Sequence, residues 1–258
     1  MVNLNEVYNE DCLIGMKRIA DGSIDMILVD PPYGITAAKH DVRIDIAQLW
    51  NQYKRIIKPN GAIVIFSQLP FSAELIVANL KMFRYEWIWE KPLATGYLNS
   101  HRMPLRAHEN ILVFYQKLPV YNPQFSEGKP YKKFHSGKDS TTNYKNRNDW
   151  YNENPGIRYP RDILYYGTPL TNQRKGEPCY HPTQKPVDLL EYLIKTYTNE
   201  GETVLDNCIG SGSTAVACVN TNRKFIGFET HQPYVEIAKR RIDEAIQKRS
   251  QDLFKLNT

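Results

Sequence analysis

The chain lacks the features that define several large protein classes. Its four cysteines, Cys12, Cys179, Cys208 and Cys218, lie far apart and form no CxxC pair. That spacing argues against a zinc site or a disulfide framework and suits a reducing cytoplasm. No apolar run approaches membrane-spanning length, and the opening stretch MVNLNEVYNEDCLIGMKR has no unbroken apolar segment of signal-peptide type. No internal repeat is present. A bound metal and a membrane partner are therefore not expected. Neither sign of charge dominates, since 33 Lys and Arg face 28 Asp and Glu, a formal +5. What remains is ordinary for a globular chain: 258 residues, 41% apolar and 24% charged, enough for one large domain or a core with a modest insert.

The charge is unevenly placed. Residues 116–185 hold twelve Lys or Arg against six Asp or Glu, whereas the remainder holds twenty-one against twenty-two. The same segment carries eight of the seventeen tyrosines together with Trp150 and is rich in Asn, Gly and Pro. Basic side chains interleaved with aromatics and amides suit phosphates and bases, although a solvated, loop-rich insert would have the same composition.

Outside that segment, short apolar runs recur: IDMILV (24–29), GAIVIF (61–66), YEWIWE (85–90), NILVFY (110–115), TVLD (203–206) and KFIGF (224–228). Continuous rather than alternating apolar runs predict strands covered on both faces. Helical stripes alternate with them. One is Ile46, Leu49, Tyr53 and Ile56, ended by Lys58-Pro59-Asn60-Gly61; another is Leu189, Leu190, Leu193 and Ile194. A third is Val235, Ala238, Ile242 and Ile246, opened by Gln232-Pro233. Strands alternating with helices predict a doubly wound α/β fold with a mostly parallel sheet.

Two stretches carry chemistry. In TVLDNCIGSGSTAVACV (203–219) a strand ends at Asp206, a Gly-rich turn follows, and a helix starts near Ser213. Such a turn admits a ligand close to the backbone and aims N–H groups at it. No Gly-Lys-Ser/Thr follows, so it is not a P-loop, and the third glycine of a dinucleotide fingerprint is missing. Glu229 ends the next strand about 20 residues on, where an acidic side chain can accept from ribose hydroxyls. A nucleoside-bearing cofactor without a required pyrophosphate fits, S-adenosylmethionine above all. A tight strand–helix turn with no ligand would carry the same glycines.

The other stretch is LVDPPYGI (28–35). In an open α/β sheet, ligands gather beyond the carboxyl ends of the strands, and the run 24–29 delivers Asp30, Pro31, Pro32 and Tyr33 to that edge. Asp30 and the Pro31 carbonyl can accept from an amino group, the prolines hold those acceptors stiffly, and Tyr33 offers a flat face for a base. A Pro-terminated strand with a surface tyrosine is the plainer reading of these four residues.

Together with RIIKPNGAIVIFS, RMPLRAHENILVFY, HPTQKPVDLLEYLI, VLDNCIGSGSTA and FIGFETHQPYVEIAKRRI, in this order, the sequence resembles the DNA amino-methyltransferases of the permuted group, in which the catalytic motif precedes the cofactor motif. The resemblance covers most of the chain apart from the insert. It implies a seven-stranded Rossmann-like methyltransferase sheet: residues 1–115 as the catalytic half, 116–180 as a basic, Tyr-rich target-recognition insert, and 181–258 as the half that binds S-adenosylmethionine. It further implies site-specific methylation of adenine N6, the Asp form of the motif being the adenine form. One departure is visible: the family's Asp-Pro-Phe is here Asp206-Asn207-Cys208, so a small thiol stands in the adenine-stacking place, and Ser213 replaces a common Thr.

Carried over by position, Asp30, Pro31, Pro32 and Tyr33 are the catalytic residues. Asp11 and Cys12 lie toward the cofactor adenine and Glu229 toward its ribose. Asp206, Cys208, Gly210, Ser211, Gly212 and Ser213 form the turn around the cofactor, and His181, Thr183 and Lys185 hold its methionine carboxylate, with Asp30 closing the same cleft. DNA contacts are expected from Lys39 and His40 of the loop after the catalytic motif, from Arg102 and Arg106, and from Lys132, Lys133, Lys138, Lys145 and Arg147 of the insert. Glu109 is expected to pair with one of His101, Arg102 or Arg106. The implied partner is duplex DNA with its target adenine flipped out, in the cytoplasm of a bacterial or phage-infected cell. A cognate restriction endonuclease and a homodimer are left open. Cytosine-N4 or RNA amino-methylation, and a nucleic-acid-binding module without catalysis, remain the alternatives, with a nucleotide-dependent dehydrogenase a weak third.

Overall fold

Apolar runs buried on both sides build the centre of the protein, whose computed structural model describes residues 2–34, 42–135, 150–168, 179–180 and 184–256. The strands are β1 (Glu6–Asn9), β2 (Ile24–Val29), β3 (Ile57–Ser67), β4 (Phe83–Thr95), β5 (Arg106–Phe114), β6 (Ser126–Glu127), β7 (Tyr131–His135), β8 (Trp150–Asn154), β9 (Ile157–Arg158), β10 (Ile163–Tyr165), β11 (Thr203–Asp206) and β12 (Lys224–Glu229). The helices are α1 (Cys12–Gly15), α2 (Ile46–Ile56), α3 (Phe71–Ala78), α4 (Val187–Tyr197), α5 (Ser213–Asn220) and α6 (Gln232–Leu256). Eight strands form the main sheet in the order β1-β12-β11-β2-β3-β5-β4-β10. Only β5 runs against its neighbours; every other pairing is parallel.

Alternate residues of each central strand enter opposite cores. Met26 and Leu28 of β2, Val64 and Phe66 of β3, and Ile111 and Val113 of β5 face Leu189, Leu193, Val235 and Ala238 of α4 and α6. Ile27 and Val29, Ile63 and Ile65, and Leu112 and Phe114 face Leu49, Trp50, Tyr53 and Leu75 of α2 and α3. The sheet is thus doubly wound, and the unbroken apolar runs reflect burial on both faces.

Three details depart from the sequence expectation. The sheet has eight strands rather than seven, because β10 joins the edge beside β4. This strand is three residues long and buries only Leu164, so it carries no pattern that can be read in sequence. The residues Lys58-Pro59-Asn60-Gly61 form an irregular excursion within β3, between the pairs Ile24–Ile57 and Met26–Ala62, after α2 has ended at Ile56. Gly61 is needed there, since a Cβ would meet the Asp25 carbonyl at 2.8 Å. Along α6, Val235, Ala238 and Ile242 are buried as expected, but Ala245 takes the next inward place and Ile246 is exposed.

Residues Pro123–Arg161 form a separate compact unit, narrower than the expected insert 116–180 because 163–165 belong to the main sheet. Within it β7 pairs antiparallel with β8, and β6 with β9. Aromatic contacts replace a core: Phe134 meets Tyr151 at 5.2 Å, and Phe125 meets Tyr159 at 4.9 Å between ring centroids.

The β4–α4 contact is pinned by one buried hydroxyl. Tyr197 receives the Trp87 indole N–H at 2.7 Å and lies 2.8 Å from the Tyr85 hydroxyl. Tyr197→Phe strands the buried Trp87 donor, and urea unfolding should show a loss of about 1–3 kcal/mol. An unchanged midpoint would mean that the indole finds another partner.

Candidate active site

The site is a product of where strands stop. Pro31 has no N–H for the ladder, so the chain leaves the sheet directly after β2 and sets Asp30 on its carboxyl edge. Strand β11 is hydrogen-bonded to β2 through the pairs Val204–Met26 and Leu205–Ile27. Its continuation, the Gly-rich turn, therefore opens on the same edge. Strand β12 lies on the far side of β11 and delivers Glu229 there, and β1 pairs Asn9 with Glu229 and so brings Asp11 beside it.

Asp30 is held on both oxygens. The Tyr33 hydroxyl donates to Oδ1 at 2.7 Å, and the Lys185 ammonium donates to Oδ2. Lys185 also faces Glu109 Oε2 at 3.4 Å, and Glu109 Oε1 accepts from Lys91 Nζ at 3.0 Å. Two carboxylates and two ammoniums thus alternate along one row. Both lysines are nearly inaccessible, Lys185 at 8% and Lys91 at 7% of side-chain surface, whereas Asp30 keeps 26%. Burial pushes the Asp30 carboxyl above the usual carboxylate range, helped by the Glu109 charge and opposed by Lys185. Burial acts the same way on Glu109, but the Lys185 and Lys91 ammoniums outweigh it and hold that carboxyl low. The two carboxylates in turn overcome burial at Lys185 and keep it firmly protonated.

These contacts bear on two expectations. Lys185, expected at a cofactor carboxylate, has its ammonium against two carboxylates of the chain itself. Glu109 pairs with Lys91 and Lys185 rather than with His101, Arg102 or Arg106. Lysines in a sequence read as surface residues, so nothing local marked Lys91 as a partner. Tyr33 is half-buried rather than free: its ring lies 5.5 Å from Phe71, and its carbonyl accepts from Arg43 Nε at 3.0 Å.

The Gly-rich turn is shaped from behind. Gly212, at φ 85°, caps the start of α5, and a Cβ there would lie 2.8 Å from the Ala238 Cβ of α6. Gly210, at φ 51°, has open space where its Cβ would be. Arg241 of α6 donates to the Ser211 carbonyl at 2.7 Å, to Ser211 Oγ at 3.0 Å and to Ser213 Oγ at 3.1 Å. Ser211 also donates to Gln184 Oε1 at 3.2 Å. The Ser211 and Ser213 side chains, expected to contact a cofactor, are instead buried in the support of the turn. Arg241 and Gln184 were not anticipated; Arg241 sits in a KRR run that looks like a solvated helix face.

Acidic groups line the front. The Glu229 carboxylate accepts from Gly210 N at 3.0 Å and from His231 N at 2.8 Å. Asp206 accepts from Thr214 Oγ1 at 2.6 Å and from Cys208 N at 3.0 Å. Burial, with added repulsion from Asp30 and Glu229, pushes the Asp206 carboxyl up to about 7. A cationic ligand relieves that repulsion, which is how these residues fit a sulfonium. Asp11 is exposed and caps α1, accepting from Leu13 N at 2.8 Å and Ile14 N at 3.2 Å. The Asn207 amide lies 3.4 Å from the Cys12 sulfur and 3.5 Å from the Cys208 sulfur, the latter standing where the family's motif has Phe. Their mutual hydrogen bond lowers the Cys12 thiol and raises that of Cys208.

Of the basic residues expected at DNA, Arg102 and Arg106 are exposed at the β4–β5 connection. Lys133 is exposed on β7, while Lys132 pairs with Glu153 across the β7–β8 ladder. Lys39, His40, Lys138, Lys145, Arg147, His181 and Thr183 lie outside the described residues. Among the described residues, no group of three or more His, Cys, Asp or Glu could hold a metal ion, and no helix is long and apolar enough to cross a membrane.

Residues 24–240 match the N6_N4_Mtase family, described as DNA methylase. The type II methyltransferase M.BglII of Bacillus subtilis is 30% identical over 263 residues, covering 92% of this chain and 68% of that protein. The DNA adenine methyltransferase YhdJ of Escherichia coli (strain K12) is 27% identical over 262 residues, covering 97% and 86%. The crystal structure of the M1.HpyAVI–SAM complex superposes with a TM-score of 0.63 at 24% identity, covering 92% and 98%. At that identity it supports the fold.

Two measurements probe the buried charges. Lys185→Met leaves Asp30 and Glu109 facing each other, and unfolding should show a loss of about 3–5 kcal/mol. A loss under about 1 kcal/mol would remove the row from any structural role. Asp206 holds its proton in the folded state up to about pH 7, whereas the unfolded carboxyl releases it near its ordinary 3.8. Stability is therefore lost as pH rises between these values, by up to about 1.4 kcal/mol per pH unit. Asp206→Asn should flatten that slope in urea titrations run from pH 4 to 7, and an unaltered slope would contradict it.

Proposed function

The chain belongs to the DNA methylase family, and on that premise we propose that it transfers a methyl group from S-adenosylmethionine to the N6 amino group of a flipped-out adenine in DNA. The observation that carries this reading is the Asp30 carboxylate, held on both oxygens yet open on one side, on the same sheet edge as the Gly210 turn and Glu229. The similarity to YhdJ, a DNA adenine methyltransferase, supports the choice of base. The name type II methyltransferase of M.BglII supports a restriction–modification setting with a cognate endonuclease.

S-adenosylmethionine, when bound, supplies an electrophilic methyl group on a sulfonium. Glu229 and Asp11 would meet its nucleoside, and Gly210 gives its backbone room to approach. The acidic cluster of Asp30, Asp206 and Glu229 balances the positive sulfur. On the substrate side, the adenine N6 lone pair is delocalised into the ring. Asp30 and the Pro31 carbonyl, accepting one N–H each, turn that lone pair out of conjugation and stabilise the charge that grows on nitrogen. Lys185 and Tyr33 fix the Asp30 rotamer while leaving lone pairs for the amine. Burial raises the carboxylate's affinity for the proton that N6 then sheds. Flipping the base out of a duplex costs a few kcal/mol, and stacking on Tyr33 returns roughly 1–3 kcal/mol.

The isosteric change Asp30→Asn should lower transfer of labelled methyl to DNA by about 100- to 1000-fold. Calorimetry should find S-adenosylmethionine binding within about threefold of the parent; retained turnover would take Asp30 out of the reaction. Nucleoside analysis of DNA from a methylation-free host expressing the chain should yield N6-methyladenine. N4-methylcytosine there would establish the second reading, which the family description includes.

A further inference from the structure

Strands β4 and β5 outgrow the sheet on the side of Asp30. Val29 pairs with Ile65 and Ile65 with Leu112, so Asp30 lies level with the next residue of β5, Ile111. From Ile111, β5 continues outward to Arg106, paired there with Thr95 of β4. At about 3.3 Å per residue this arm stands roughly 16 Å beyond the catalytic edge. Its end is built rather than slack. Gly96 adopts φ 94° and starts the 3-10 turn Tyr97–Asn99. The tip closes with Asn99 N to Gly96 O at 2.9 Å, Ser100 N to Tyr97 O at 3.0 Å and Met103 N to Asn99 O at 3.0 Å.

This ordered tip holds apolar side chains in water. Leu98 is 96% exposed and Tyr97 79%, with Leu93, Met103 and Leu105 also exposed. Exposed His101, Arg102 and Arg106 are interleaved with them. Apolar residues concentrated on one projecting arm mark an interaction site rather than ordinary surface. Cations alternating with them favour a polyanion over a second apolar surface, and a two-stranded β-ribbon has the width that the major groove admits.

We propose that the β4–β5 arm enters the DNA, and that Leu98 fills the gap in the base stack from which the target base has swung to Asp30. Arg102 and Arg106 take phosphates beside it. Leucine is one of the side chains that wedge between base steps. A filled gap slows return of the base, so the wedge acts on flipping and not on methyl transfer itself. The inference rests on the reading of the chain as a DNA methyltransferase acting on a flipped base.

The test uses the full chain and the sequence found methylated in the expressing host, in two forms: an intact duplex, and the same duplex with an abasic site opposite the target. In the second form the base is already free to leave. Leu98→Ala should lose about tenfold in kcat/KM on the intact duplex and less than about twofold on the pre-opened one, with Leu98→Phe restoring activity. With 2-aminopurine at the target position, the fluorescence rise on binding should shrink in Leu98→Ala alone. Equal rates for Leu98→Ala and parent on the intact duplex would overturn the wedge. So would an equal loss on both forms, or a fall from dimer to monomer in sedimentation, which would make the arm a contact between copies of this chain. If the host DNA carries no methylated base, the methyltransferase reading itself fails, and the wedge with it.

Discussion

Lys185 reaches across from the segment before α4 and joins the Asp30 carboxylate to Glu109, and the carboxyl edge of the sheet is organised around that contact. Asp30 directly follows β2, Glu109 lies in β5, and Lys91, which completes the row, lies in β4. Three strands and the entry to a helix are thereby fixed by four charges. A row of two anions and two cations is neutral as a whole, which makes its burial tolerable; a single member would not be. Its value lies in geometry more than in stability, because an apolar row of the same shape would pack as well but could not aim a carboxylate. The carboxylate stays accessible on one side only because the lysines are sealed on theirs.

The cofactor side follows the same logic with different means. There a turn must be open in front, so it is braced from behind: Arg241 gathers Ser211 and Ser213, and the lack of a side chain at Gly212 lets α6 approach to contact distance. What the front presents is a set of carboxylates whose mutual repulsion a positive ligand relieves. Positive charge on the sulfonium and negative charge on the protein thus suit each other before any shape is considered. Beside the turn the chain sets the Cys12 and Cys208 thiols against the Asn207 amide.

Much of this was legible in the sequence for a definite reason. Strands buried on both faces are mostly apolar along their length, so IDMILV and TVLD announced their own ends, at the residues where β2 and β11 stop. The Asp-Pro-Pro-Tyr and Gly-Ser-Gly motifs carry their chemistry within a few consecutive residues and were readable for that reason. Strands β1 and β10 were not, being four and three residues long with few buried positions. The long-range partners were equally silent, since Lys91, Glu109 and Arg241 are charged residues that in any sequence resemble solvated surface.

By itself, then, the sequence determined the layered fold, the edge at which the Asp30 motif and the Gly-rich turn meet, and the family to which the chain belongs, because each depends on local pattern and order along the chain. The tertiary structure decided what each charge does. It set the Lys185 ammonium against Asp30, placed Ser211 and Ser213 against Arg241, and raised an apolar tip beyond the sheet edge. These outcomes depend on which distant residue arrives within a few ångströms when the sheet closes, and a charge's role is set by that neighbour and by burial, neither of which is written beside it in the chain.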